Sequence, residues 1–185
     1  SLGGGQQLFN VKPDLSTFGK IIGGGFPIAA FAGRKEIMDL VNPIRKEQPT
    51  VFQAGTFTGN PLSSAAGAAV IGELEKQNSY SILNKSGQEI RKGLSDLTSD
   101  LGISASVIGI GSIWRIFFNV KKAHNFQDIA LSDTKKLLQF HDTLLMHGVH
   151  PSRGSMCFTS IVHTEEDVSK TLQAFKSSLK RCFYQ

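Results

Sequence analysis

The chain is poor in cysteine, in long apolar runs and in clustered charge, and each shortage narrows what it can be. Cys157 and Cys182 are the only two cysteines in 185 residues, and no CxxC pair exists. With no secretory signal in view, reduced and partly buried thiols are expected. No apolar stretch approaches the ~20 residues needed to span a bilayer, so no membrane partner is expected. The formal charge is +5 and the pI about 9.3, yet no run of five basic residues occurs. Lys121-Lys122, Lys135-Lys136 and Lys180-Arg181 are scattered pairs. They read as solvated faces rather than a nucleic-acid stripe, and anionic small molecules remain compatible with them. Internal repeats and low-complexity tracts are absent. The histidines form no metal set: His147 and His150 flank Gly148, His163 precedes a helix cap, and His124 and His141 read as surface positions.

Two phosphate-binding patterns also fail. A P-loop requires Gly-Lys-Ser/Thr, but Gly19-Lys20 is followed by Ile21, and Asp14 stands at the first glycine position. A dinucleotide fingerprint requires a third glycine, and Gly109-Ile110-Gly111 continues as Ser112-Ile113-Trp114.

Glycine is what the chain has in excess: 19 of 185 residues, most of them no later than Gly72, against a usual ~7%. The start, Ser1-Leu2-Gly3-Gly4-Gly5, has no initiator methionine and opens on a glycine turn, so the expectation is a fragment. A turn, a short strand and a loop are expected over 7–19, and a strand-length apolar run over Pro27–Ala32. Arg34–Val41 reads as a helix closed by Asn42-Pro43, and 44–50 as an exposed loop. Val51–Ala54 is a possible strand. Asn60-Pro61 signals a helix start. Small residues over Ser63–Ala69 make that helix one for close packing. Further on, Ile82, Ile90, Leu94, Leu97 and Leu101 mark a helical stripe. Strands are expected over Val107–Ile110, Ile113–Val120 and Met156–Val162. Ser132 is the expected cap of a helix over about 133–147. Thr164-Glu165-Glu166-Asp167 resembles a capping box before an amphipathic helix carrying Val168, Leu172, Phe175 and Leu179. The second half therefore reads as a small α+β unit.

Three segments are candidates for chemistry. In Phe18-Gly19-Lys20-Ile21-Ile22-Gly23-Gly24-Gly25-Phe26-Pro27, Lys20 is a lone cation among apolar and small residues. Poor solvation is expected there, and desolvation favours the neutral amine, the nucleophile a Schiff base requires. The glycines leave room for a flat ligand. The residues alone leave open a surface lysine beside a flexible turn. Gly55-Thr56, in a turn before the Asn60-capped helix, could hold a phosphate or be an ordinary loop. Arg153, in Pro151-Ser152-Arg153-Gly154-Ser155-Met156, could grip a substrate carboxylate bidentately or be an exposed loop arginine.

Taken together, Pro13-Asp14-Leu15-Ser16-Thr17-Phe18-Gly19-Lys20-Ile21-Ile22-Gly23-Gly24-Gly25 and Gln53-Ala54-Gly55-Thr56-Phe57-Thr58-Gly59-Asn60-Pro61-Leu62 resemble the class III pyridoxal-phosphate aminotransferases. Gly33-Arg34-Lys35-Glu36-Ile37-Met38 and His163-Thr164-Glu165-Glu166-Asp167 match the glutamate-1-semialdehyde 2,1-aminomutase branch. The resemblance implies an α/β, fold type I transferase. Residues 1–75 would be the later part of the large cofactor domain, and 76–185 the small carboxyl-terminal α+β domain. It implies pyridoxal 5′-phosphate as cofactor, Lys20 as the Schiff-base lysine and general acid/base, and Gly55 and Thr56 as phosphate ligands reaching in from the neighbouring subunit of a homodimer. A small amino or keto substrate and a cytoplasmic location follow from the same likeness.

Two departures shape the expectation. The family's pyridine-binding aspartate and ring-stacking segment have no match in this chain, so the chain alone is expected to be inactive. A non-catalytic binding or structural piece is the rival from another class. Gly154-Ser155-Met156 stands where the aminomutase branch has Phe-Glu-Ala, which favours a related aminotransferase, with the aminomutase as the alternative.

Overall fold

The computed structural model describes residues 1–184. Two compact units emerge, Ser1–Ser79 and Tyr80–Gln185.

In the first unit, Gly4–Leu8 forms helix α1. Strand β1 (Leu15–Phe18) pairs antiparallel with β2 (Ala30–Gly33), Leu15 lying opposite Gly33 and Phe18 opposite Ala30. A 3₁₀ turn, Lys20–Gly23, lies between them and ends on Gly24 at φ 57°. Helix α2 (Lys35–Met38) tightens into a 3₁₀ turn, Asp39–Val41, and stops at Asn42. Val51–Ala54 is not a strand. The Val51 amide reaches the Leu40 carbonyl at 2.7 Å, and Phe52 is 92% exposed. Among the described residues no strand lies alongside, so this run has no ladder to join. Helix α3 (Pro61–Glu75) begins where Asn60 Oδ1 accepts the Ser63 amide at 3.0 Å, with Pro61 in the first turn. Its buried positions are small ones, Ser63 and Gly67.

The second unit carries the hydrophobic core. Helix α4 (Ser79–Asp100) buries Leu83, Ile90 and Leu94, whereas Ile82 is 44% exposed. The stripe thus enters one residue later than the sequence pattern indicated, because adjacent helical residues point about 100° apart. Strands β3 (Ala105–Ile108) and β4 (Ile113–Phe118) form an antiparallel hairpin. A short helix, α5 (Phe126–Ala130), leads to α6 (Thr134–Met146). The cap of α6 is Asp133 rather than Ser132, its Oδ1 accepting the Lys136 amide at 2.9 Å. Strand β5 spans only Cys157–Phe158, beside β4. The expected strand over 156–162 ends early because the Thr159 amide turns to the Ser112 carbonyl at 2.9 Å. Helix α7 (Glu165–Tyr184) opens on the anticipated reciprocal box. The Thr164 amide donates to Asp167 Oδ2 at 2.8 Å, and the Asp167 amide to Thr164 Oγ1 at 3.2 Å.

Helices α6 and α7 pack on each other, and α6 covers β4. Ile116, Phe118, Phe140, Phe175 and Leu179 are almost fully buried, and Trp114 meets Phe175 edge-on at 5.2 Å. Burying such side chains is worth about 1.5–3 kcal/mol each. Cys157 and Cys182 are buried free thiols. Among the described residues, no helix is long and apolar enough to cross a membrane, and no group of three His, Cys, Asp or Glu could hold a metal ion.

Candidate active site

Lys20 opens its 3₁₀ turn at φ +54°. A non-glycine residue in the left-handed region costs about 1–3 kcal/mol and persists only where its surroundings enforce it. Gly19 before it is fully extended, and Gly24 and Gly25 after it have positive φ. The turn packs on α3. A Cβ on Gly67 would lie 2.8 Å from the Ile22 carbonyl oxygen, and one on Gly24 would lie 2.7 Å from Val70 Cγ2. The missing side chains are what let the turn lie directly on the helix.

The amine itself is not covered. Lys20 is exposed, and so are its apolar neighbours Ile21 (67%) and Phe26 (48%). The expected desolvation of Lys20 is therefore corrected. The turn packs on α3, and among the described residues the apolar side chains beside it, Ile21 and Phe26, are themselves exposed.

Gly55 and Thr56 are exposed in the turn that leads into α3. The Gly55 carbonyl accepts the Thr58 amide at 2.9 Å, the Phe57 carbonyl accepts the Asn60 amide at 3.1 Å, and Gly59 takes φ +70°. The Lys20 turn lies against α3 and the Gly55–Asn60 turn opens it, so one helix organises both segments.

Arg153 belongs to the second unit. Its Nε and Nη2 donate to Asp142 Oδ1 and Oδ2 at 2.6 and 2.9 Å, a fork filled by a carboxylate from its own chain. Each partner stabilises the other's charge, raising the pKa of Arg153 and lowering that of Asp142. Both ends are exposed. Ser155, also exposed, closes the loop by donating its amide to the Ser152 carbonyl at 2.9 Å.

His141 was expected at the surface and is 2% exposed. Its Nδ1 accepts the Gly154 amide at 3.0 Å. Burial pulls its pKa from 6.5 to about 4, with Asp142 opposing and Arg115 and Arg153 adding to the fall. The sequence did hold a signal: Leu137, His141 and Leu144 share one face of α6 at i, i+4, i+7. Burial likewise pushes the Cys157 thiol up, against a Ser152 backbone hydrogen bond and the Arg115 charge.

Two clefts accompany these residues. One, of about 440 Å³, borders β1 and includes Gln6, Lys12, Ser16 and Phe18. The other, of about 980 Å³ in the second unit, includes Trp114, His147, His150, His163 and Lys170. Neither is lined by Lys20, Gly55, Thr56 or Arg153.

Comparison with solved structures defines the class first. The fold is that of part of a fold type I pyridoxal-phosphate-dependent transferase. It matches an omega-transaminase from Sphaerobacter thermophilus at TM-score 0.85 and 27% identity, over 97% of this chain and 41% of that one. It matches a transaminase solved with PLP bound at TM-score 0.84 and 26% identity, over 96% of this chain and 40% of that one. Residues 5–179 match the aminotransferase class-III family, and the chain belongs to that family. Among curated relatives, the glutamate-1-semialdehyde 2,1-aminomutase of Methanosarcina acetivorans is 41% identical over 181 residues, 97% of this chain and 42% of the relative. The chain thus spans about two-fifths of the length of the relatives it matches.

Proposed function

We propose that this chain carries the lysine-bearing part of an enzyme that transfers amino groups on small amino and keto substrates with pyridoxal 5′-phosphate. The observation that carries the reading is Lys20 itself. In a class-III chain, it is the lysine held left-handed on the glycine-cut face of α3. The residues present fit the cofactor's two attachment needs, an accessible primary amine for its aldehyde and a hydroxyl-bearing turn for its phosphate. Bound, the cofactor supplies the electron sink. Lys20 would hold the cofactor through its aldehyde and, as general acid/base, would move a proton at the substrate carbon. Gly55 and Thr56 would hold the phosphate. Arg153 would take a substrate carboxylate, which would replace Asp142 in its fork; an exposed ion pair is weak enough for that exchange. We assign residues 1–75 to the cofactor domain and 76–185 to the carboxyl-terminal domain. We assign the assembly to a homodimer in which Gly55 and Thr56 serve the partner's cofactor. The buried, unpaired Cys157 and Cys182 suit a reducing, cytoplasmic setting.

The test uses the full-length protein carrying these residues. It is incubated with pyridoxal phosphate, reduced with borohydride and peptide-mapped. A stoichiometric phosphopyridoxyl group on Lys20, lost in Lys20→Ala, is the expected result. Label spread evenly over many lysines refutes the assignment.

A second reading, aminomutation of glutamate 1-semialdehyde, is favoured by the 41% identity to aminomutases across nearly the whole chain. Turnover of that compound without an added amino acceptor would select it over transamination. The comparisons give the non-catalytic reading no support.

A further inference from the structure

We propose that His141 is the positioning residue for the Arg153 loop: its imidazole clamps Gly154 so that the neighbouring guanidinium is presented to a carboxylate. The inference rests on the assignment of Arg153 to carboxylate recognition.

The loop 152–155 is a single turn closed by the Ser155 amide on the Ser152 carbonyl, with Arg153 at its second position. Both backbone groups of Gly154 are held by side chains. Its amide donates to His141 Nδ1 at 3.0 Å, and its carbonyl accepts Arg115 Nη2 at 3.3 Å. Gly154 has φ +74°, a conformation other residues resist, so this grip acts on a defined backbone state. The turn's orientation sets where the Arg153 side chain begins.

Two neighbours on α6 divide the task. Asp142 holds the Arg153 side chain, and His141 holds the Arg153 backbone through Gly154. The two holds differ in durability. The Asp142–Arg153 pair is exposed at both ends, and water and salt weaken it. His141 is 2% exposed, and leaving a buried acceptor unmet is costly. When a substrate carboxylate displaces Asp142, the His141 bond to the Gly154 amide, beside Arg115 on its carbonyl, keeps the fork in place. Accepting at Nδ1 requires that atom to be unprotonated, so the ring carries its hydrogen on Nε2. The charged groups that face this ring are Asp142 on α6, Arg115 on β4 and Arg153 in the loop.

The test uses the full-length holoenzyme with two amino donors, an accepted amino acid and the amine that lacks only its carboxylate. His141→Phe removes the acceptor. His141→Asn restores an oxygen near the Nδ1 position, and His141→Gln, with its amide near Nε2, replaces the Phe variant should that one fail to accumulate. His141→Phe should raise KM for the amino acid roughly tenfold, the loss of one well-placed contact, while kcat and the KM for the amine hold. Deuterium exchange of the peptide over 151–156 should quicken. His141→Asn should recover both. Equal rises in KM for both donors, or no rescue by Asn, overturn the proposal. Arg153→Ala separates the two ideas. If it keeps the carboxylate preference, the role of Arg153 fails and the positioning role with it. If it loses the preference while His141→Phe keeps it, His141 alone is refuted.

Discussion

Gly67→Ala tests whether α3 is what holds Lys20 in its turn. A methyl group there would stand 2.8 Å from the Ile22 carbonyl oxygen and 3.8 Å from Ile28 Cδ1. The first contact is with backbone, so relief requires the Lys20–Gly23 turn to move rather than a side chain to swing. Two terms compete. Alanine is a better helix former than glycine by about 1 kcal/mol. Overpacking a close contact costs about 1–3 kcal/mol. The net expectation for Gly67→Ala is a loss of about 0–2 kcal/mol. Gly72 is the internal control: it lies on the same helix, is exposed, and has open space where its Cβ would be. Gly72→Ala should therefore gain up to about 1 kcal/mol from propensity alone. Urea denaturation gives both numbers. Trp114 lies in the second unit, so hydrogen exchange over 61–75 is the readout for the first. Pyridoxal labelling of Lys20 should slow in Gly67→Ala and not in Gly72→Ala. If both variants are stabilised equally, α3 does not position the lysine through Gly67.

Two further expectations follow from the candidate site. Thr56→Val removes a hydroxyl donor to a charged acceptor, about 1.5–3 kcal/mol, so cofactor affinity should fall roughly 10- to 100-fold; an unchanged dissociation constant would remove Thr56 from the phosphate site. If Thr56 serves the partner's cofactor, mixed dimers of Lys20→Ala and Thr56→Val should hold one site with both residues intact, and its cofactor affinity should match that of the unsubstituted protein. The pH dependence of stability has a definite sign at His141. Its folded pKa, about 4, lies below the ordinary 6.5, so the unfolded chain takes up the proton first. The contribution is complete above pH 6.5, shrinks as pH falls toward 4, and amounts to at most about 3 kcal/mol. His141→Asn should flatten the unfolding midpoint across that window; an unaltered slope would refute the linkage.

The candidate residues stood out in sequence by type and spacing. The Lys20 and Gly55-Thr56 motifs pointed to the class-III family that the comparisons show. Local chemistry also settled what depends on a few adjacent residues. Asn60-Pro61 starts α3 and Thr164 with Asp167 starts α7, because a side chain reaching an amide three residues on needs no distant partner. Elements that depend on a neighbour were not settled in this way. Val51–Ala54 has strand composition but, among the described residues, no strand to pair with, and β5 shrinks to Cys157–Phe158 when Thr159 finds Ser112 instead. Exposure was decided by tertiary structure too. Lys20, set among apolar residues in sequence, is exposed because Ile21 and Phe26 beside it turn to solvent rather than over the amine. His141 is buried because one face of α6 meets the loop at Gly154. Sequence adjacency fixes which groups are close along the chain, whereas solvation depends on what folds back over them from far away. The residues of this protein therefore pointed to its family, and only its packing decided which of their side chains meet water.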